Sequence, residues 1–215
     1  MTSSSTAIIC ATDLCCKRGH FTLFEPVSFA LNNGQSLLVS GANGIGKTTL
    51  LESLASLRAL HQGSLCYKNQ DITSNSDQWL DNIFFLGHKT GNKKELSCLE
   101  NLRTFLQIQG LAISLKQAQK ALAEVGLAGY DYQLAGNMSA GQKKRLALAR
   151  LLLVKFPIWI LDEPFVNLDS SGCQWLLELL TKHCQNKGIL IITAHDNKTI
   201  KQSVTHELML KAAVI

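Results

Sequence analysis

At 215 residues the chain has room for one large domain, with or without a subdomain, and 46% hydrophobic with 17% charged residues excludes a disordered or fibrous protein. The net charge of +5 is mild and scattered, which argues against nucleic acid as a partner and is compatible with an acidic membrane surface nearby. No apolar run approaches the roughly 18 residues of a membrane span. The first six residues, Met1 to Thr6, are polar and lack a signal-peptide core, so the expected location is the cytosol. Seven cysteines, an odd number without a C-x-x-C pair, fit a reducing compartment. Cys10 and Cys66 fall on apolar strand patterns and are expected to pack as small core groups. No C-x-x-C-H haem-attachment motif is present, and no direct haem binding is expected.

In chain order, residues 7–14 and 27–31 read as strands, and Asn32-Asn33-Gly34 turns the chain into a short buried strand over 36–40. Gly41-Ala42-Asn43-Gly44-Ile45-Gly46-Lys47-Thr48 then fits G-x-x-x-x-G-K-[ST], the phosphate-binding loop. From Thr49 to Leu57 apolar positions recur at helical spacing. A nucleoside triphosphate needs several donors converging on its β- and γ-oxygens, and backbone N–H groups of a curled loop ending on a helix N-terminus supply them. Gly41, Gly44 and Gly46 permit the curl, because glycine reaches positive φ without steric cost. Lys47 adds a mobile point charge, and Thr48 places a hydroxyl where Mg²⁺ sits beside ATP.

Residues 63–68 and 82–86 read as further strands. Helical patterns follow over 99–109, 115–125 and 139–154, predicting a helical subdomain at about 89–155 within a single domain spanning 1–215. Ser139 and Gln142 have the spacing of a capping box, opening the third of these helices. Ile158-Trp159-Ile160-Leu161-Asp162-Glu163 is a continuous apolar run ending in two acids, the pattern of a parallel strand buried on both faces. Its carboxyl end is where such sheets bind ligands. Asp162 is expected to help hold Mg²⁺, and Glu163 to orient and deprotonate an attacking water. A helix over 170–184, a buried strand over 188–193 leading to His195, and a last strand near 207–210 complete the pattern.

Taken in order and spacing, Gly41 to Thr48, Ser139-Ala140-Gly141-Gln142, Ile160-Leu161-Asp162-Glu163-Pro164, Asn167-Leu168-Asp169 and His195 resemble the ATP-binding-cassette (ABC) ATPases over nearly the whole chain. The resemblance implies an α/β P-loop NTPase of the ABC ATPase type, with a mixed sheet body and a helical subdomain. It also implies a head-to-tail homodimer in which Ser139, Gly141 and Gln142 meet the γ-phosphate held by the second copy, with Asp169 crossing the interface. His195 resembles the histidine that senses the γ-phosphate. Two departures stand out: Ala140 replaces the first signature glycine, and His88 replaces the usual glutamine that bridges Mg²⁺ or water. The position of the usual adenine-stacking aromatic falls near Arg18, whose guanidinium can also stack on a base.

Leu86-Gly87-His88-Lys89-Thr90-Gly91, Lys94-Glu95-Leu96-Ser97, Leu99-Glu100-Asn101-Leu102 and Trp159 to Phe165 narrow the resemblance to the cytochrome c biogenesis ATP-binding export family. That family is similar to haem-exporter ATPases. It implies a peripheral subunit on the cytoplasmic side of a membrane, with integral membrane partners in c-type cytochrome maturation. The ATPase of another transporter, or a soluble cassette ATPase, remains the alternative at this point.

Overall fold

The computed structural model describes residues 7–73, 76–194 and 198–213; the expected sensor His195 lies outside them. The chain opens with β1 (Ile9–Cys15), in which Ile9 and Ala11 face inward while Cys10 and Thr12 face out, the period of a half-solvated strand. A small hairpin follows, β2 (Lys17–Arg18) and β3 (Phe21–Thr22), and then β4 (Val27–Leu31) and β5 (Ser36–Ser40). Next come α1 (Lys47–Leu54), β6 (Gln62–Tyr67), β7 (Gln70–Asp71), α2 (Ser76–Leu80) and β8 (Ile83–Leu86). Three helices fill the middle: α3 (Cys98–Ile108), α4 (Leu115–Glu124) and α5 (Ala140–Leu148). The chain finishes with β9 (Ile158–Leu161), α6 (Ser170–Gln185), β10 (Ile189–Thr193), α7 (Lys198–Ser203) and β11 (His206–Met209). Among the described residues no helix is long and apolar enough to cross a membrane.

The strands form an antiparallel sheet, β4-β1-β6-β7, and a five-stranded parallel sheet, β11-β5-β10-β9-β8. Every residue of β5, β9 and β10 is buried, as continuous apolar runs in a parallel sheet require. Registers Leu86↔Leu161 and Leu161↔Ile192 bring the carboxyl ends of β8, β9 and β10 level with one another.

The chain divides into two compact units. The first runs up to His88 and adds Phe156–Glu163 and the chain from Leu177 onward; the second is Lys89–Lys155 with Pro164–Leu176. The first unit packs Leu14, Leu31, Val39, Leu50, Leu54, Trp79, Ile160 and Ile191 into one core. Trp79 also donates its indole N–H to the Leu54 carbonyl at 2.8 Å, satisfying an acceptor that the end of α1 leaves open. The Trp159 ring stacks on the His183 imidazole at 3.8 Å and 7°. Burial pushes His183 below its ordinary pKa. A Cβ at Gly188 would sit 2.3 Å from that imidazole, so only glycine fits there.

The second unit packs Leu102, Ala118, Leu122, Val125 and Leu146 together. Its three helices each open on a complete capping box, Ser97 with Glu100, Ser114 with Gln117 and Ser139 with Gln142. Arg150 is buried there and donates to the Thr90 carbonyl at 2.8 Å and to Asn92 Oδ1 at 2.7 Å, with its guanidinium 4.6 Å from the Phe105 ring. Burial lowers its pKa to about 10. Asn101 ties down the same segment, accepting from Lys93 N–H at 2.7 Å and donating to the Lys93, Leu96 and Ser97 carbonyls.

Three expectations need correction. Cys10 is exposed and Cys66 half-buried. Both occupy the outward phase of their strands, and cysteine's apolar weight does not say which side of the pleat it takes. The helix expected over 139–154 ends at Leu148 and tightens into a 3₁₀ turn over Ala149–Leu152, a common helix ending. The helix expected to reach Leu57 stops at Leu54, and Ser56 takes a left-handed φ of 58°.

Candidate nucleotide site

The loop between β5 and α1 turns on left-handed glycines, with φ of 79° at Gly44 and 113° at Gly46. A Cβ at Gly46 would also lie 3.0 Å from the Leu23 side chain, so both backbone and space require glycine there. Gly46 is the N-cap of α1, with no side-chain cap hydrogen bond and no acid in the first turn. Helices α3, α4 and α5 spend a serine on their first N–H groups, whereas α1 leaves its own available to an anion. Lys47 is buried and folds back over the loop, donating to the Gly41 carbonyl at 2.8 Å and the Ala42 carbonyl at 3.2 Å. The Ile45 N–H donates to the same Ala42 carbonyl at 3.3 Å, closing the turn.

Across from the loop, Thr48 donates its hydroxyl to Asp162 Oδ2 at 2.8 Å. Asp162 is buried at the end of β9, and its Oδ1 accepts from the Thr193 hydroxyl at 2.7 Å. Thr193, fully buried at the end of β10, accepts in turn from the Glu163 N–H at 2.8 Å. Glu163 holds a left-handed backbone, φ 47°, which costs a residue with a Cβ about 1 kcal/mol and persists where surrounding contacts fix it. A cleft of about 250 Å³ is lined by Arg18, Asn43, Gly44, Gly46, Lys47, Thr48, Thr49, His88 and Glu163.

This donor set fits a triphosphate with Mg²⁺. The open helix N-terminus and Lys47 match anionic oxygens. Thr48 and Asp162 are hard oxygen ligands already in contact, and Mg²⁺ takes few protein ligands because it keeps waters and phosphate oxygens. Among the described residues no cluster of three His, Cys, Asp or Glu side chains stands ready for a metal, so the phosphates would have to complete the set.

The remaining sequence-derived residues lie in the second unit. Ser139 Oγ accepts from the Gln142 N–H at 3.2 Å, and Gln142 Oε1 accepts from the Ser139 N–H at 2.9 Å. A Cβ at Gly141 would stand 2.8 Å from the Asn167 carbonyl oxygen, so close backbone approach alone demands glycine there. Ala140 is exposed, which accommodates a methyl where the signature usually has hydrogen. Asp169 caps the start of α6, accepting from the Gly172 N–H at 2.9 Å and from Ser171 Oγ at 3.2 Å, and pairs with Arg145. The Gly172 N–H above all, and Arg145 beside it, hold its carboxyl below the usual range.

Residues 24–166 match the ABC transporter family. The cytochrome c biogenesis ATP-binding export protein CcmA of Methylococcus capsulatus is 43% identical over 191 residues, 89% of this chain and 92% of that protein. CcmA of Shigella sonnei is 38% identical over 93% of this chain and 95% of its own length. The chain belongs to the ABC transporter family, among its cytochrome c biogenesis ATP-binding export proteins.

Solved structures agree on the fold of this ABC ATPase. An ABC transporter ATP-binding protein from Pyrococcus furiosus superposes with a TM-score of 0.81 at 25% identity, over 94% of this chain and 96% of that one. A dimeric ATP-binding cassette in a post-hydrolysis state with ADP and Pi gives 0.82 at 23% identity, over 94% of each chain.

The residue that sequence reasoning missed is Thr193. Its one visible signal was a hydroxyl closing an otherwise apolar strand, two residues before His195. Its connection to Asp162 and Glu163 depends on the β9–β10 register.

Proposed function

We propose that this ABC ATPase drives a membrane complex of c-type cytochrome maturation, hydrolysing ATP with Mg²⁺ as a homodimer on the cytoplasmic side of the membrane. The observation carrying the chemistry is the hydrogen-bonded chain Thr48–Asp162–Thr193–Glu163 at the mouth of the phosphate loop. The likeness to CcmA proteins supports the pathway.

In this reading the β- and γ-phosphates take the N–H groups between Gly41 and Thr49, and the Lys47 ammonium moves from the Gly41 and Ala42 carbonyls onto them. Thr48 and Asp162 would hold Mg²⁺, which would supply neutralisation of phosphate charge when bound. Glu163 accepts a proton from the attacking water, while His88 and His195 hydrogen-bond that water or the γ-phosphate. Arg18 lies beside the same cleft and offers a flat cation for the base. Ser139, Gly141, Gln142 and Asp169 of the second copy complete the site, so that ATP closes the dimer and hydrolysis reopens it. Integral membrane subunits carry the substrate path, whether the work is haem export or release of a haem-loaded chaperone, and this chain binds no haem itself.

Lys47→Ala removes the charge that answers the phosphates. Cells carrying only this variant should lose covalently attached c-type cytochromes on a haem-stained gel and keep their b-type cytochromes. Normal c-type bands would overturn the assignment to cytochrome c maturation; loss of both types would redirect it to haem supply.

A further inference from the structure

The seven thiols sort by their surroundings. Cys15, Cys16 and Cys98 are buried, and Cys173 and Cys184 are half-buried on α6. Cys10 and Cys66 alone among them stand directly opposite each other, on antiparallel strands β1 and β6. Directly opposed residues share a face of the sheet. Here it is the outer face, since Ile9, Ala11, Leu65 and Tyr67 on either side of the two thiols are buried. The Lys68 N–H donates to the Ile8 carbonyl at 2.8 Å. Two residues along each strand, Cys10 and Cys66 therefore fall in the same hydrogen-bonded phase, where Cα atoms lie about 5.5 Å apart. Disulfides span Cα separations of about 4.4–6.8 Å and Cβ separations of about 3.5–4.5 Å, so closing the bond draws the two Cβ atoms together from the roughly 5 Å of a directly opposed pair. In the same row across the sheet, Ala30 lies on the far side of Cys10 and Asp71 on the far side of Cys66. Ala30 is small and exposed, which leaves the Cys10 thiol open to a small reagent.

We propose that Cys10 and Cys66 form a dithiol–disulfide modification site for low-molecular-weight disulfides such as oxidised glutathione. The Cys10 thiolate attacks one sulfur of the small disulfide, breaking its S–S bond and releasing one thiolate. The Cys66 thiolate then attacks the Cys10 sulfur of the mixed disulfide and expels the second. The two protons of the protein thiols end on the two released thiolates; the dithiol is oxidised by two electrons, and the small disulfide is reduced to two thiols. Partial burial, with Asp71 and Cys10 adding to it, holds the Cys66 thiol above its ordinary range. Exposed Cys10 is thus the point of entry and Cys66 the resolving thiol. The bond staples β1 to β6 across the long intervening chain, which restricts the unfolded state more than the folded one.

The test uses the purified full chain, equilibrated in buffers of rising oxidised-to-reduced glutathione ratio, quenched in acid, alkylated, and digested without reduction for mass spectrometry. A linked Cys10–Cys66 peptide pair should accumulate, disappear on adding dithiothreitol, and bring a thermal midpoint a few degrees higher. Cys10→Ser and Cys66→Ser should each abolish both the linked pair and the rise. Three results would overturn the proposal: Cys10 stopping as a stable glutathione adduct while Cys66 remains alkylatable, links formed instead through Cys173 or Cys184, or an undiminished midpoint rise in Cys10→Ser.

Discussion

Thr193 does two jobs with one hydroxyl, donating to Asp162 and accepting from the backbone of Glu163. Thr193→Val keeps the side chain's shape and removes both bonds, leaving a buried carboxylate oxygen and a backbone N–H short of a partner. A loss of about 1–3 kcal/mol in denaturant unfolding is expected for such orphaned groups. The ATPase rate should fall further than this loss explains, because the two acids lose their mutual register. Glu163→Gln tests the chemistry separately. An amide of the same size should preserve ATP binding and lower turnover by about 100-fold or more, the usual worth of a general base. Wild-type turnover in a phosphate-release assay would remove Glu163 from the reaction.

Between residues and the whole chain, the packing of α6 on β9 and β10 carries a pH signature. His183 is pressed between the Trp159 ring and Gly188, and burial lowers its pKa from the ordinary 6.5. Above that value both folded and unfolded chains hold it neutral, so it does not alter stability. As pH falls below about 6.5 the unfolded chain takes the proton first, and stability drops until the folded pKa is passed. His183→Phe retains a ring for the stack and cannot titrate. Its urea midpoint should therefore change less between pH 7 and pH 5 than that of the wild type, and parallel declines would assign the acid sensitivity elsewhere. The element boundaries show what periodicity can and cannot reach. Runs such as Leu37 to Val39 and Ile189 to Ile192 announce buried parallel strands by composition alone. The β2–β3 hairpin has two residues per strand, too few for any period, and α2 is a single short turn.

For the whole molecule, the phosphate loop and the ABC fold were legible because each rests on contiguous residues whose chemistry is nearly unique. Thr193 was not, because its partners arise from the pairing of strands about thirty positions apart in sequence. The orientation of Cys10 and Cys66 was hidden for a similar reason: which side of a pleat faces solvent is decided by what covers the other side. If the second copy completes each site, the ATPase rate should rise more steeply than in direct proportion to protein concentration in the dilute range. Strict proportionality, with sedimentation showing a monomer throughout, would rule out shared sites.

The division of the chain also bears on how the cleft is wired along the backbone. The backbone passes between the two units four times, and two of the crossings fall directly after His88 and directly after Glu163. Half of the crossings thus adjoin a residue that lines the nucleotide cleft. His88 and Glu163 each stand one peptide bond from a stretch that belongs to the other unit.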